Sequence, residues 1–422
     1  MNPDVERRGE PGSPPAHPKT DFAAAYPARV RRIFCAHGLA SIGSNLLLPS
    51  FFFYATQIFH WNSSQCLELV SAEGVVYIIG ALVARLIVAR LGRQRSLAGI
   101  QALLTIAAAS AWLRPTPVFV PGAILCYTLV SAMGWPIFES LISAGAEPSM
   151  LSRRIGVYNL IWSGMGTLSL AISGTIINHF RPGMFLLPMA AHAIAALLIS
   201  MGNVEPAEGG ATGHAAAEPG LLRQRRLALQ LGRIGLPASY TVLYSLVALM
   251  PSLVVIRSFA PASQTVVASI WMGSRVFVFI ALGFMAWWHT RPRVLLYAAV
   301  AMLIAFFGVT LQPVQLLGGA AAVTGWDQIL MIAFQIPLGL TMGMIYAGSL
   351  YFGMVLSEGS TEHGGYHEAL IGLGQVCGPA AALTAEHFWP GDIRAAVFAV
   401  AAVMVVCLIS ATYVTIRELR RR

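Results

Sequence analysis

Between residues 34 and 416 the chain divides into twelve apolar runs, each near the roughly 20 residues that carry an α-helix across a bilayer. They fall near 34–58, 67–90, 96–113, 117–144, 154–178 and 183–202, and then near 234–257, 263–290, 294–312, 327–356, 364–388 and 394–416. Hydrocarbon offers no partner to a backbone N–H or C=O, so only a helix or a closed barrel can cross it, and these runs far exceed the length of a barrel strand. Charged residues make up 11% of the chain and hydrophobic residues 56%, against roughly 25% charge in a soluble domain. The reading is an all-α polytopic membrane protein with twelve transmembrane helices, which excludes an ordinary soluble enzyme.

The runs are also written twice. Tyr158, Gly164 and Gly166 recur at the same spacing as Tyr366, Gly372 and Gly374. Met133-Gly134 with Ser140-Leu141 recurs as Met342-Gly343 with Ser349-Leu350, and Leu48-Pro49-Ser50 as Met250-Pro251-Ser252. Repeats of this kind are how many transporters are built. The expected organisation is two pseudo-symmetric six-helix bundles, 29–202 and 229–416, joined by a cytoplasmic linker over 203–228. Residues 1–28, polar and proline-rich, read as a disordered cytoplasmic tail, and 417–422 as a second short tail.

Arginine sets the orientation. An even number of spans puts both termini on one side, and both terminal segments are basic (Arg29, Arg31 and Arg32; Arg417, Arg420, Arg421 and Arg422). Loops expected on that side hold Arg90, Arg93, Arg95, Arg153, Arg154, Arg223, Arg225, Arg226, Arg233, Arg291 and Arg293, whereas the opposite loops hold Arg114, Arg181, Arg257 and Arg394. By the positive-inside rule the termini are expected in the cytoplasm, in a plasma (inner) membrane, and the net charge of +9 is a topology signal rather than a sign of nucleic-acid binding. Five scattered cysteines give no disulfide framework, and no metal cluster or cofactor motif stands out. Asn62-Ser63-Ser64 matches a glycosylation sequon, a pattern short enough to arise by chance.

After the second run, Arg90-Leu91-Gly92-Arg93-Gln94-Arg95 resembles the loop between helices two and three of the major facilitator superfamily, whose pattern is G-x-x-x-D-R-x-G-R-R. Arg90, Gly92 and Arg93 match; Arg85, Ala89 and Gln94 stand where the first glycine, the aspartate and the second arginine of the pair belong, with Arg95 one position on. Glu147 and Arg154 resemble the acid and arginine that many members place after helix four to pair with that loop. The glycine-rich fifth and eleventh runs are similar as well.

That resemblance implies two bundles rocking about a central cavity, with helices one, four, seven and ten lining it and two, five, eight and eleven forming the interface. Polar stripes on the cavity helices fit those roles: Ser41 and Asn45; Thr128, Ser131, Trp135, Glu139 and Ser143; Tyr240, Thr241, Tyr244 and Ser245; Gln335, Met342, Tyr346 and Ser349, at helical spacing. Small residues there serve helix packing as readily as substrate. Asn45, Trp135, Gln335 and Tyr346 are costlier to bury unpaired and, with Tyr240 and Tyr244, are the candidate cavity residues.

Ionisable groups inside spans carry more weight, since each costs about 2.5–3.5 kcal/mol at a helix centre on insertion scales. Arg275 lies midway along the eighth run and needs either a buried acid, a carbonyl-lined pocket or an anionic group on the substrate. Glu139 is either a proton carrier or the salt-bridge partner of Arg85 or Arg275. Glu73, nearer the outer end of the second run, either reaches water or carries a proton. Arg85 and Arg90 face His367 and Glu368 near the cytoplasmic surface, where a pair such as Arg85 with Glu368 can serve as a gate, or Glu368 can simply favour the start of its helix.

The resemblance therefore implies a secondary active transporter, acting as a monomer, that moves a small organic solute by rocker-switch alternating access coupled to H+. A multidrug or metabolite efflux antiporter is the alternative. The efflux element G-x-x-x-G-P-x-x-G-G is not met in the fifth run, where Ser169-Leu170-Ala171-Ile172-Ser173-Gly174 stands, while Gly374 and Gly378-Pro379 lie in the eleventh. A membrane sensor with this fold is the rival of another class, for which the short tails leave little room.

Overall fold

A computed structural model describes residues 27–144, 146, 148–204, 219–285, 287–317, 322–357 and 361–420. Among them there is no strand. The long helices are α1 (Ala28–Leu47, continued by Phe51–Ile58), α2 (Ser63–Leu91), α3 (Arg93–Leu113), α4 (Phe119–Ser143), α5 (Pro148–His179) and α6 (Gly183–Ser200). The second half holds α7 (Pro219–Leu249), α8 (Pro261–Ala268, continued by Ile270–Phe284), α9 (Arg293–Thr310), α10 (Gly325–Ser357), α11 (Thr361–Phe388) and α12 (Ile393–Leu419).

Eleven helical segments are long and apolar enough to cross a membrane. The helix outside that set is α11, whose 28 residues include Glu362, His363, His367, Glu368, Glu386 and His387. It packs along α2 and α7, and Glu368 and Glu386 face protein rather than lipid, while Glu362 is exposed in its first turn. The first tail falls outside the described residues apart from Pro27 and Ala28, as does most of the expected linker, and α7 begins within that linker at Pro219.

The sequence repeat is a structural repeat. Pro49 and Pro251 cannot donate to a helical ladder, and both break the first helix of their half near the same end: α1 opens over 48–50, and α7 passes into a 3-10 turn at Met250–Ser252. The Ser50 hydroxyl donates to the Asn45 carbonyl that the first break leaves behind (3.0 Å). Of the repeated glycines, Gly166, Gly372 and Gly374 admit neighbouring helices, while Gly164 faces open space. A Cβ at Gly166 would sit 2.9 Å from Asn45 Oδ1 and 2.8 Å from Met272 Sδ, and one at Gly372 2.7 Å from Ile78.

Within each half the helices pack as α1 on α5 and α6 and α2 on α4, with α7 on α11 and α12 and α8 on α10 in the second. The halves meet along α2 with α11 and along α5 with α8. We call the side on which α1 begins and α12 ends the terminal face, and the opposite side the distal face. Contacts join the halves at both. At the distal face the Ser63 and Ser64 hydroxyls donate to the Glu386 carboxylate (2.6 and 2.5 Å), and the Gly174 amide donates to Thr265 (3.0 Å). Toward the terminal face, a Cβ on Gly365 would lie 2.9 Å from the Ala81 carbonyl and one on Gly156 3.6 Å from Gly283 Cα. These contacts join the halves on both sides of the cavity between them.

Candidate functional site

Eight helices converge on this central cavity, with about 80 Å3 open to the centres of water-sized atoms. Asn45 of α1, Trp135 of α4, Tyr240 and Tyr244 of α7, Arg275 of α8 and Tyr346 of α10 line it, as the sequence reading expects. Tyr77, Tyr158, Trp162, Met272 and Glu368 line it too, from the helices expected only at the interface.

Arg275 dominates the chemistry. It is fully buried, and Nε, Nη1 and Nη2 have no hydrogen-bond partner. Among the described residues no carboxylate forms an ion pair with it within 4.0 Å. Instead the guanidinium lies over Trp162 (4.4 Å to the ring centroid), with Trp271 at 5.7 Å and Tyr346 at 6.0 Å. Trp162 and Tyr346 stack on one another at 5.3 Å and 13°. Aromatic faces return roughly 0.5–2 kcal/mol to a cation, less than the several kcal/mol lost on desolvating one. The guanidinium's donors are left open toward the cavity.

The backbone places this group with care. At Ser269 α8 breaks, which frees the N–H of Trp271 one turn before Arg275. Gln335 Oε1 accepts that N–H at 3.3 Å, and the Ser163 hydroxyl donates to the Met272 carbonyl at 3.1 Å. Gly339 brings α10 against α8 so closely that a Cβ there would meet Ser274 Cβ at 2.7 Å. Gln335 thus holds the backbone one turn before Arg275 and is not among the residues that line the cavity. Periodicity puts Gln335 on the face of Tyr346, but it gives no sign that the facing helix is broken.

On the terminal side of the cavity lies a second constellation. Glu139, His367 and Glu368 are buried, and each offers a donor atom within 4.8 Å of the others. The Tyr77 hydroxyl donates to Glu368 Oε2, and His367 Nδ1 lies 3.2 Å from the Ser349 hydroxyl. Glu139 has no hydrogen-bond partner on either oxygen. It is paired with neither Arg85 nor Arg275, so the salt-bridge reading of Glu139 is not met. A Cβ on Gly364 would stand 2.9 Å from Glu139 Oε2, so glycine there makes room for the carboxyl. Two carboxyls this close, without a cation, cannot both hold charge in low dielectric.

Further along the same α2–α11 contact, Glu73 is buried and accepts from Gln375 (3.1 Å). It does not reach water. The expected gate pairing is also different: Arg85 approaches Glu362 at 4.0 Å, both side chains more than half exposed, while Glu368 faces inward. α2 and α11 run antiparallel, and their register sets Arg85 beside the first turn of α11.

The loop residues serve the terminal face. Gly92 takes φ 77° between α2 and α3, a conformation glycine adopts freely. Arg93 donates to Ser140 (3.2 Å), and Arg154 and Arg29 reach the last carbonyls of α4, Ile142 and Ala144, at 3.4–3.5 Å, where cations suit the helix dipole. Gln94, in place of the motif's arginine, donates to the carbonyls of Ile199 and Gly202 after α6 (2.9 and 2.8 Å). Arg90 and Arg95 are exposed, and Glu147 lies outside the described residues.

Several residues of this region escape a sequence reading. His37 is buried and stacked on Tyr158 (4.1 Å), with neither ring nitrogen hydrogen-bonded. Tyr158 and Trp162, four residues apart on α5, do share a helical face, and that was the available signal. A polar chain through the first bundle, Gln101 to His192 (2.7 Å), His192 to Tyr127 (2.5 Å) and Tyr127 to Ser44 (3.2 Å), reaches the cavity wall at Ser44. Its members lie on α3, α6, α4 and α1, too far apart in sequence to suggest one another.

No protein-family model and no curated protein sequence matches the chain. Solved structures do match its fold. The nucleoside transporter NupG superposes with a TM-score of 0.65 at 13% identity, covering 92% of this chain and 99% of that one. FucP, a major facilitator superfamily transporter captured in an outward conformation, gives 0.56 at 13% identity over 92% and 99%. The human organic anion transporter MFSD10 gives 0.57 at 15% identity over 91% and 100%. The chain therefore has the major facilitator fold.

Proposed function

We propose that the chain is a secondary active transporter of a small organic anion, coupled to H+ and working by rocker-switch alternating access. The observation that carries this reading is Arg275, a buried and unpaired guanidinium on the wall of a cavity shared by both halves. The fold alone does not select a substrate, since one fold hosts many, and the proteins that share it are described with different cargoes.

A carboxylate entering the cavity would accept two parallel N–H bonds from the guanidinium, with the Trp162–Tyr346 stack behind it. The cavity is small, with about 80 Å3 open to the centres of water-sized atoms. That size favours a compact carboxylate over a nucleoside. Tyr240, Tyr244 and Trp135 would cover its apolar body, and Asn45 its polar end.

The coupling step would use Glu139 and Glu368. One proton shared by the two carboxyls removes their repulsion in the closed state. Opening toward the terminal face would separate α4 from α11, hydrate both acids and release the proton. Glu73, one turn from Tyr77 on α2, is a further carboxyl on the distal side of that pair. The distal clamp of Ser63 and Ser64 on Glu386 would break in the opposite half of the cycle, giving each state its own contacts. In this account the terminal face is cytoplasmic.

The test is a thermal-shift screen of the purified chain against small carboxylates and their uncharged amides. A ligand that binds only the folded state raises its stability. Carboxylates should stabilise and the matched amides should not; equal response to both would remove the role of Arg275.

A further inference from the structure

We infer that the terminal face carries a second binding site, for an anionic phospholipid, in the crevice between α7, α9 and α12. A cavity of about 470 Å3 opens there among Trp287, Thr290, Arg291, Arg293, Tyr297 and Glu418. Arg291 and Arg293 are exposed and form no ion pair among the described residues, and Arg291 lies 5.8 Å from the Trp287 ring. The acid in the wall is already neutralised, because Arg223 of α7 pairs with Glu418 of α12. The net field of the pocket is therefore positive. Trp287 and Tyr297 are 45% and 65% exposed, as aromatic residues are at the level of lipid headgroups.

The shape of the space beneath it argues for a lipid rather than a free anion. Directly toward the membrane centre the same three helices form a narrow apolar crevice lined by Leu231, Ile234, Ala299, Leu303, Cys407 and Leu408. Each of these residues lies one to three turns inward along its helix from the basic pocket. On α9, Tyr297, Val300 and Ile304 continue outward as one exposed stripe at helical spacing. A phosphodiester head between Arg291 and Arg293, with an acyl chain along that exposed stripe beside the narrow crevice, satisfies both parts. Basic pockets between membrane helices recognise lipid heads in this way. The site shares no residue with the central cavity, so its fate is independent of the transport proposal.

Native mass spectrometry of the delipidated full-length chain, offered equal amounts of phosphatidylglycerol and phosphatidylcholine with identical acyl chains, tests the proposal. At about 1 kcal/mol per arginine, wild type should retain phosphatidylglycerol about tenfold or more in preference. The double variant Arg291→Gln/Arg293→Gln should lose most of that preference, and Arg291→Lys/Arg293→Lys should keep most of it. Ala299→Trp, which fills the apolar crevice and leaves the arginines in place, should lower retention of the intact lipid. Equal retention of both lipids by wild type, or an unchanged preference in the glutamine variant, overturns the site. Displacement of phosphatidylglycerol by millimolar inorganic phosphate, with Ala299→Trp indistinguishable from wild type, overturns the lipid assignment.

Discussion

Replacing Arg275 by methionine separates a substrate anchor from a structural cation. In wild type the guanidinium is fully buried without an acid, so it carries an effective desolvation penalty of several kcal/mol. Its aromatic neighbours return part of this, and only Trp162, at 4.4 Å, is close enough to contribute near the upper end of about 0.5–2 kcal/mol. Methionine fills similar volume with no charge to desolvate. The ligand-free Arg275→Met protein should then be as stable as wild type or more stable. A structural ion pair predicts the reverse, a loss of about 3–5 kcal/mol when one partner is removed. Binding should move in the other direction. Two charge-assisted bonds at about 1.5–3 kcal/mol each vanish in Arg275→Met, and one remains in Arg275→Lys. Since 1.4 kcal/mol is tenfold, Lys should weaken carboxylate binding by about 10- to 150-fold, and Met should abolish it over the accessible range. Thermal unfolding without ligand and calorimetric titration of the stabilising carboxylate measure the two effects on the same samples. A ligand-free Arg275→Met protein that melts far below wild type, with carboxylate affinity preserved in Arg275→Lys, would refute the reasoning.

Glu139→Gln and Glu368→Gln should each abolish accumulation driven by a pH gradient in proteoliposomes while leaving substrate exchange within about threefold of wild type, since a loaded carrier can still rock when the pair cannot release a proton. Persistence of both modes in both variants removes the carboxyl pair from the coupling step. Ser63→Ala/Ser64→Ala removes two hydrogen bonds to the Glu386 carboxylate, worth about 1.5–3 kcal/mol each at most and less where water replaces them; a cysteine placed at Gln264, which lies in the first segment of α8 and accepts from Gln57 of α1 (3.4 Å), should be labelled severalfold faster, and unchanged labelling would separate this clamp from closure. Gln335→Leu leaves the Trp271 N–H buried and unpaired, so unfolding should be easier by about 1–3 kcal/mol, with carboxylate affinity changed less than in Arg275→Lys. A larger loss of affinity than of stability would put Gln335 back on the cavity wall.

Much of the architecture was legible because it follows from constraints that act locally. Pro49 and Pro251 each remove a ladder donor near the end of the first helix of their half, and Gly166 and Gly372 give neighbouring helices room to approach. The family resemblance then named which helices meet. What was not legible depends on register between distant segments. Glu362 and Glu368 stand six positions apart on α11, and a sequence does not say which of them faces Arg85 across an antiparallel contact. Glu73 lies ten residues into α2, too shallow by count to be called buried, yet α11 covers it with Gln375. The charge of Arg275 was plain from its position in an apolar run. Its lack of any acid partner was not, because that is a property of all the helices around it.

The measurement that bears most directly on the account is uptake of the stabilising carboxylate into proteoliposomes under an imposed pH gradient. The account predicts accumulation above the external concentration, collapse of that accumulation by a protonophore, and neither effect in liposomes bearing Arg275→Met. Uptake that only equilibrates the two sides and ignores the gradient would contradict proton coupling, and the same uptake through Arg275→Met would contradict the anion site as well.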